Sequence, residues 1–509
     1  MIQMSSTFMG LSIATRGLYS SQAGLSVTSN NISNTNTEGY SRQTVAQTSV
    51  STPASTSGGV IIGGGSEVTS VERIRQASLD NQYWRANTSL GEWEVKADAL
   101  TEIETVFSDS TDDGFSTVMN DFYDALEELS NNASDTSVRT SVEAAANSLC
   151  EYLNNAAAQL EMIRDDLNTS VKTTVDQINS YAQQIAKLND QIQQATAGGA
   201  TANELEDQRT LLLDKLSGLV DISVSETVVG TNPDGTVNTI LNVTVNGSTL
   251  VSGDKARQLE CTSDSDGLYQ IQWQDTGEAF EPDSGALKGY LDIRDGAGGS
   301  EYKGIPYYLS QLDEFARTFA EAFNEGIYAD GNTYYAGHAG GYSSDGSTGI
   351  RFFTYDDCSS EDFMNSGSDT ESRYANITAA NISVALDIQE DVGKIAASSS
   401  AGQADNSENI ADLIELCQDS QMFNKGTPED FMNSIISTLG TSSSYAQRLA
   451  DNKSTIANNI DERRTSVSGV SADEETANLT KYQQAYNSSA LLVTTWNEIY
   501  QTTIDMVNE

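Results

Sequence analysis

The chain has 509 residues, with 73 Asp+Glu against 27 Lys+Arg, a formal net charge of −46 and a pI near 4.1. That length can hold several domains and more than one hydrophobic core. The charge repels nucleic acid and anionic membranes, so neither is expected as a partner, and no apolar stretch is long enough for membrane insertion.

The two ends depart from this acidic composition. Arg16 is the one charged side chain from Met1 to Thr37, and Lys481 the one from Leu479 to Asn497. Charge-depleted, amphipathic ends on an acidic body suggest surfaces made to be buried against each other or against other copies. The first helix is expected from about Phe8 to Ile32, with a seam of Leu11, Ala14, Leu18, Ser21, Leu25, Thr28 and Ile32 at heptad spacing. Its beginning lacks the basic segment of a secretory signal, and Ser12, Thr15 and Arg16 interrupt its apolar residues. A cytoplasmic location is therefore expected unless export uses another route; Met4 is a second candidate start. The Asn- and Gly-rich run from Asn30 to Tyr40, holding the turn residues Asn31, Asn34, Gly39 and Tyr40, must stop the helix. Ser41 to Val50 reads as extended, and Ser49 to Ser66 as a flexible or hairpin stretch.

From Arg85 to about Gly218 the pattern is mostly helical. A run from Leu167 to Ala195, broken at Gly198-Gly199, is followed by a helix from Asn203 to Leu219, an antiparallel hairpin. Asp221 to Arg294 alternates in short runs punctuated by Pro233-Asp234-Gly235 and Asn246-Gly247, a strand region. A helix from about Ile305 to Tyr328 carries Leu309, Leu312, Phe315, Phe319 and Phe323 on one face. Asp330 to Ala375, rich in Gly, Ser, Tyr and Asp, reads as a surface excursion or small β-rich insert. Helices resume near Ser407 and continue to Thr465.

The last helix starts near Ala472, with Ser471 and Glu474 in a capping-box pattern, and runs to about Met506. Leu479, Tyr482, Tyr486, Ser489, Val493, Trp496, Tyr500 and Thr503 again alternate by three and four, so the first helix is its natural partner. Both seams contain Ser and Thr where Leu would hold better. Such helices do not overcome their ordering entropy alone, which predicts that both ends stay unstructured until assembly. The expected fold class is mainly α with a β-rich part: paired terminal helices in a coiled-coil layer, a central helical-bundle domain, and a small β-rich domain or insert. The expected divisions are 1–66 (first axial helix and extended segment), 67–328 (helical domain with a β-rich stretch at 221–294), 329–385 (variable insert), 386–466 (second part of the helical domain) and 467–509 (last axial helix).

The run from Ser20 to Gln43, SSQAGLSVTSNNISNTNTEGYSRQ, resembles the N-terminal signature of the bacterial flagellar axial proteins, the family of rod, hook and hook-associated subunits. Its Ser41-Arg42-Gln43 ending after Gly39-Tyr40 is similar to the hook-associated members rather than to hook or rod subunits. The run from Gly469 to Leu479, leading into Lys481-Tyr482-Gln483-Gln484-Ala485-Tyr486, resembles the same members. So do Gln184–Ile192, Asn203–Arg209, Gly285–Tyr290 and Tyr308–Asp313. The likeness covers most of the chain and thins between about Asp330 and Ala375. Ser33 and Glu38 stand where Ala and Pro are usual in that family.

The resemblance implies a structural protein exported unfolded through the flagellar type III channel, without a cleaved signal peptide, to an extracellular ring at the hook–filament junction. The terminal helices would form the inner layer, with Leu11, Leu18, Leu25, Ile32, Leu479, Tyr482, Tyr486, Val493, Trp496 and Tyr500 at the assembly interface. The implied partners are other copies of the chain, the hook protein, a second junction protein, and an export chaperone on the C-terminal helix. Alternatives are a hook or distal-rod subunit, or a flagellum-borne extracellular acidic adhesin or enzyme.

Catalytic chemistry finds little support. His338, the single histidine, reads as a solvent-exposed loop residue and supplies at most one metal ligand. The four cysteines show no CxxC spacing, which supports neither zinc nor a disulfide framework. Gly58–Gly65 lacks the Lys-Ser/Thr of a phosphate loop, and Asp264-Ser265-Asp266-Gly267 lacks the downstream Glu of a calcium loop; both read as turns. Acidic pairs such as Asp112-Asp113, Asp165-Asp166 and Glu474-Glu475 read as solvated. No enzyme activity, catalytic residue, metal site or cofactor is therefore expected.

Overall fold

The first and last described elements are helices that lie against each other, and between them stands a helical body. A computed structural model describes residues 9–50, 63–107, 114–198, 200–231, 237–329, 333–423 and 426–508. The glycine run at 58–62, the acidic pair at 112–113 and the turn at 233–235 lie outside these residues. Helix α1 (Met9–Ser33) leads through a turn into β1 (Gln43–Ser49), which pairs antiparallel with β2 (Ser66–Arg73), Gln43 opposite Arg73. Then come α2 (Ala77–Val106), α3 (Phe115–Asn131), α4 (Thr136–Ala197) and α5 (Asn203–Leu219).

The spine of the body is α4, 62 residues long, or about 90 Å. The Asp135 carboxylate accepts from the Ser137 N–H at 2.8 Å and caps its start. Its buried residues recur in steps of three and four: Val142, Ala146, Leu149, Leu153, Ala156 and Leu160 in the first half, and Val171, Val175, Ile178, Ala182 and Ile185 in the second. Each half serves a separate core. The second half, with α5, forms the expected hairpin.

That second core is closed by strands. β3 (Ile222–Thr231), β4 (Val237–Val245), β5 (Ser248–Ser252) and β6 (Lys255–Ala256) form an antiparallel sheet in that order, and β7 (Leu259–Ser263) pairs with β8 (Tyr269–Trp273). Val243, Val245, Leu250, Val251, Ile271 and Trp273 point into it against Val175, Ile178 and Ile185. Asn246-Gly247 makes the expected turn, both residues at positive φ. Asp264–Gly267 turns β7 into β8, the Asp264 carboxylate accepting from the N–H of Asp266 (3.0 Å) and Leu268 (2.9 Å). Helix α6 (Ala286–Asp295) bridges the cores. Its buried Arg294 donates to Asn168 Oδ1 and Tyr269 O, both at 2.9 Å, and pairs with Asp295 at 2.7 Å.

The first core is aromatic. Helix α7 (Ile305–Glu325) buries Leu312, Phe315, Phe319 and Phe323 against Phe115 and Phe122 of α3. It ends three residues earlier than its periodicity predicts. Gly326 sits at φ 87°, where a Cβ would lie 2.2 Å from Tyr335 O, and the chain turns into β9 (Gly326–Ala329), paired with β10 (Thr333–Ala336).

The described part of Asp330–Ala375 corrects the expectation of a surface excursion. It folds as β10, β11 (Phe353–Tyr355), α8 (Ser360–Asn365) and α9 (Thr370–Tyr374). Phe352, Phe353, Phe363 and Tyr374 are buried in the same aromatic core. β11 pairs with β12 (Ile382–Val384), followed by α10 (Leu386–Glu390). His338 is likewise enclosed, at 0% exposure, not solvent-exposed. The small residues around these aromatics make the segment look like surface, yet burying each Phe contributes about 1.5–3 kcal/mol.

Helices α11 (Glu408–Cys417) and α12 (Pro428–Ser468) complete the first core, and α12 runs beside α2. Thr427 and Asp430 form a reciprocal capping box at the start of α12. The last helix is α13 (Ala472–Asn508). Among the described residues, no helix is long and apolar enough to cross a membrane, and no group of three or more His, Cys, Asp and Glu is arranged to hold a metal.

Candidate assembly interface

Helices α1 and α13 run antiparallel in a seven-residue register set by glycines. The Trp496 ring covers Gly10, Ser489 covers Gly17 and the Tyr482 ring covers Gly24. A Cβ on these glycines would lie 2.2, 3.0 and 2.5 Å from those side chains. One further heptad on, Asn31 Nδ2 donates to Glu475 Oε2 at 3.0 Å. Seven residues forward in α1 thus match seven back in α13, over three successive steps. A glycine stripe lets the helix axis approach close enough for an aromatic ring to lie on the backbone, though each helical Gly costs about 1 kcal/mol against Ala. In the structure both helices are formed and paired within one chain.

The predicted seam of α13 is where the structure places its partly covered residues. Leu479, Tyr482, Tyr486, Val493, Trp496 and Tyr500 are all half-buried, and Trp496 stacks on Tyr500 with ring centroids 5.8 Å apart. Leu11, Leu18, Leu25 and Ile32 of α1 are also half-buried, one position beyond the glycine stripe, while Ala14, Ser21 and Thr28 are buried. On the side of α13 away from α1, Leu491 is 68% exposed, and Leu492 beside it is exposed too, as is Tyr19 of α1; Ile499, Ile504 and Met506 are exposed past the described start of α1.

A polar anchor fastens this pair to the body. Asn31 spends its whole amide there: Nδ2 donates to Gln43 O (2.9 Å) besides Glu475, and Oδ1 accepts from Gln43 N (3.0 Å) and the Tyr40 hydroxyl (2.8 Å). Burial first, then the carboxylates of Glu204, Asp207 and Glu475, pushes the Tyr40 hydroxyl up to about 12, so it stays a donor. Asn34 closes the turn, its Nδ2 donating to Asn30 O at 3.0 Å. Gly39 takes φ 77° with Leu211 beneath it. Ser41 gives its N–H and hydroxyl to the buried Asp207 carboxylate of α5, at 2.9 and 2.7 Å. Arg73 also reaches Asp207 at 3.1 Å, and Arg75 holds Asp80 through two N–H bonds of 2.9 Å.

From α12, Arg464 grips Asp214 at 2.8 Å and lies over the Tyr83 ring at 4.0 Å, while Trp84 Nε1 donates to the same carboxylate at 2.7 Å. Burial disfavours the Arg464 cation, but Asp214, Asp461 and Asp80 more than offset this and hold it charged. At the start of α13, Ser471 Oγ accepts from the Glu474 N–H at 3.4 Å, and the Glu474 carboxylate pairs with Arg42 at 2.7 Å. Glu475, expected to be solvated, is buried against Asn31.

The glycines, Glu475, Asp207 and Arg464 are missing from the sequence-predicted set. The heptad spacing of Gly10, Gly17 and Gly24 was the available signal; nothing local marks Asp207 or Arg464, whose partners lie far along the chain.

Residues 100–353 match the model of the flagellar hook-associated protein FlgK helical domain, residues 463–506 that of the flagellar basal body rod FlgEFG protein C-terminal region, and residues 11–40 that of the flagella basal body rod protein. The last two matches cover the paired helices. Flagellar hook-associated protein 1 of Bacillus subtilis is 35% identical over 524 residues, with 99% of each chain covered. The Escherichia coli protein of that name is 28% identical, with 97% of this chain and 98% of its own covered. The flagellar hook junction protein FlgK of Burkholderia pseudomallei shares the fold at a TM-score of 0.56 and 18% identity, over 76% of this chain and 100% of that one. With the helical-domain match and 35% identity along nearly the whole length, this chain belongs to the flagellar hook-associated protein 1 (FlgK) family.

Proposed function

We propose that the chain is a structural subunit of the bacterial flagellum at the junction of hook and filament, needed for filament assembly. The observation that carries this reading is the bare, charge-poor face of α13 on a pair already seated by glycines. Leu491 and Leu492 lie outside the contact with α1 and call for a second surface. Neighbouring copies in a ring would cover it. Leu11, Leu18, Leu25, Ile32 and the α13 seam form the interior of that layer, and the anchor around Asn31, Asn34, Gly39 and Tyr40 sets its angle to the body.

Hook protein on one side and a second junction protein on the other complete the contacts. The same bare face is a natural target for a cytoplasmic chaperone before export through the type III channel to the cell exterior. The role is mechanical, not enzymatic; the one histidine is enclosed with both ring nitrogens engaged by backbone groups.

The test is complementation of cells lacking the protein. Val493→Asp or Trp496→Asp should leave the purified body folded and abolish filament growth, because an unpartnered charge in the seam costs several kcal/mol, on the order of 3. Normal filaments from either variant would refute the reading. A hook or distal-rod subunit, the competing assignment, would polymerise on its own when purified, whereas a junction subunit stays monomeric.

A further inference from the structure

His338 holds two distant segments together in a way that only a neutral imidazole can. Its Nδ1 lies 2.8 Å from Ile350 O and its Nε2 2.8 Å from the Ala396 N–H. A carbonyl can only accept and an amide N–H only donate, so Nδ1 carries the hydrogen and Nε2 presents its lone pair. The ring packs against Phe323 and Phe352 with centroids 6.4 and 5.2 Å away.

The segment it grips, residues 391–398, is otherwise laid on the loop 338–350 by a short ladder. Tyr342 N donates to Ser398 O (2.7 Å), Ser398 N to Tyr342 O (3.1 Å) and Ser344 N to Gly393 O (3.0 Å), and Lys394 pairs with Asp345. We propose that His338 is an acid-released catch: protonation of Nε2 sets a donor against the Ala396 N–H, frees the 391–398 strap from the 338–350 loop and uncovers Phe323 and Phe352.

The charged groups around the ring do not compensate the added proton. On α4, Arg139 is a second cation, donating to Ile395 O at 2.6 Å and Ala133 O at 2.9 Å. On α7, Glu325 is occupied by Arg351 at 2.9 Å. On the strap, Asp391 accepts from the Gly393 N–H at 2.9 Å, and Lys394 is committed to Asp345. On α11, Glu408 takes the Ser399 hydroxyl, and the neutral Asn409 amide donates to Ala396 O at 2.8 Å.

Burial, with Arg139 adding to it, lowers the histidine from 6.5 to about 4. The released ring therefore binds a proton more tightly than the held one. The catch is at full strength above about pH 6.5 and is lost progressively as the pH falls towards about 4.

Because the chain has one histidine, its Cε1–H resonance reports the catch directly. In the full-length protein its titration midpoint should lie well below 6, near 4. Amide exchange in 338–350 and 391–398, corrected for intrinsic rates, should speed up roughly tenfold per pH unit between 6 and 4, ahead of the α4 amides. His338→Gln, whose amide can accept from Ala396 and donate to Ile350 without titrating, should keep the protection at pH 7 and remove its acid dependence. A resonance titrating near 6.5, or the same acid profile in His338→Gln, would overturn the proposal. So would exchange in the two segments that does not respond to pH. If His338→Gln fails to fold, the wild-type titration and exchange profile decide alone.

Discussion

The aromatic core around α7 and the terminal pair of α1 and α13 are both helix packings, but they are built on opposite terms. In the core, Phe122, Phe315, Phe319, Phe323, Phe352 and Phe353 are each fully buried and touch one another. In the pair, three glycines receive two aromatic rings and a serine, and most of α13 remains in water. The core is closed within one chain, whereas Leu491 and Leu492 of the pair stay exposed. In the assembly proposed above, neighbouring copies would cover what α1 and α13 leave exposed.

The largest effects should come from attacking the core where the sequence looks least like core. Removing 333–375 should abolish the cooperative transition of the aromatic core, because it takes Phe352, Phe353, Phe363 and Tyr374 with it; a deletion variant melting like the parent would contradict this. Phe352→Ala alone should destabilise the body by about 3–5 kcal/mol, read by denaturant midpoint. Gly17→Leu should act differently. It should push Ser489 and α13 away at a local cost of about 1–3 kcal/mol, leaving the midpoint of the body unchanged while abolishing incorporation into the flagellum. A lowered body midpoint would mean that the two regions unfold as one.

Asn31→Ala should cost about 1–3 kcal/mol within the pair and anchor, since it strands the Gln43 N–H and leaves the buried Glu475 carboxylate with Asn478 alone among its side-chain donors; the loss of protection should be confined to 31–43 and the start of α13. Leu491→Ser should be the mildest, within about 0.5 kcal/mol for the isolated chain, yet it should weaken assembly. An unaltered assembly would remove Leu491 from the interface.

The sequence shows why these regions differ in legibility. The α13 seam is readable residue by residue because its Tyr, Val and Trp alternate by three and four in a stretch almost free of charge. The α4–α5 hairpin and the strand region from Ile222 to Trp273 were readable for the same reason of period. The glycine stripe was obscured because Gly in a helix reads as a weakness, not as a contact.

The segment holding His338, Phe352 and Tyr374 was misread because its Gly and Ser content resembles a loop. Its burial depends on α7, just before it, and on α3, more than 200 residues back, whose Phe122 meets Phe352 and Phe353. The polar anchor was equally hidden: Ser41, Asp207, Asp214 and Arg464 meet only after the chain has folded, and no local pattern ties them together.

Hydrogen exchange on the dilute monomer tests the central claim most directly, by comparing α13 amides from Leu479 to Met506 with α4 amides from Leu149 to Ile178. A pair that is formed but unfinished should open often. The α13 amides should exchange at least about a hundredfold faster than those of α4 and slow sharply once the protein is incorporated into the flagellum. Protection of α13 equal to that of α4 in single molecules would contradict the account, because the terminal pair would then already be complete without neighbours.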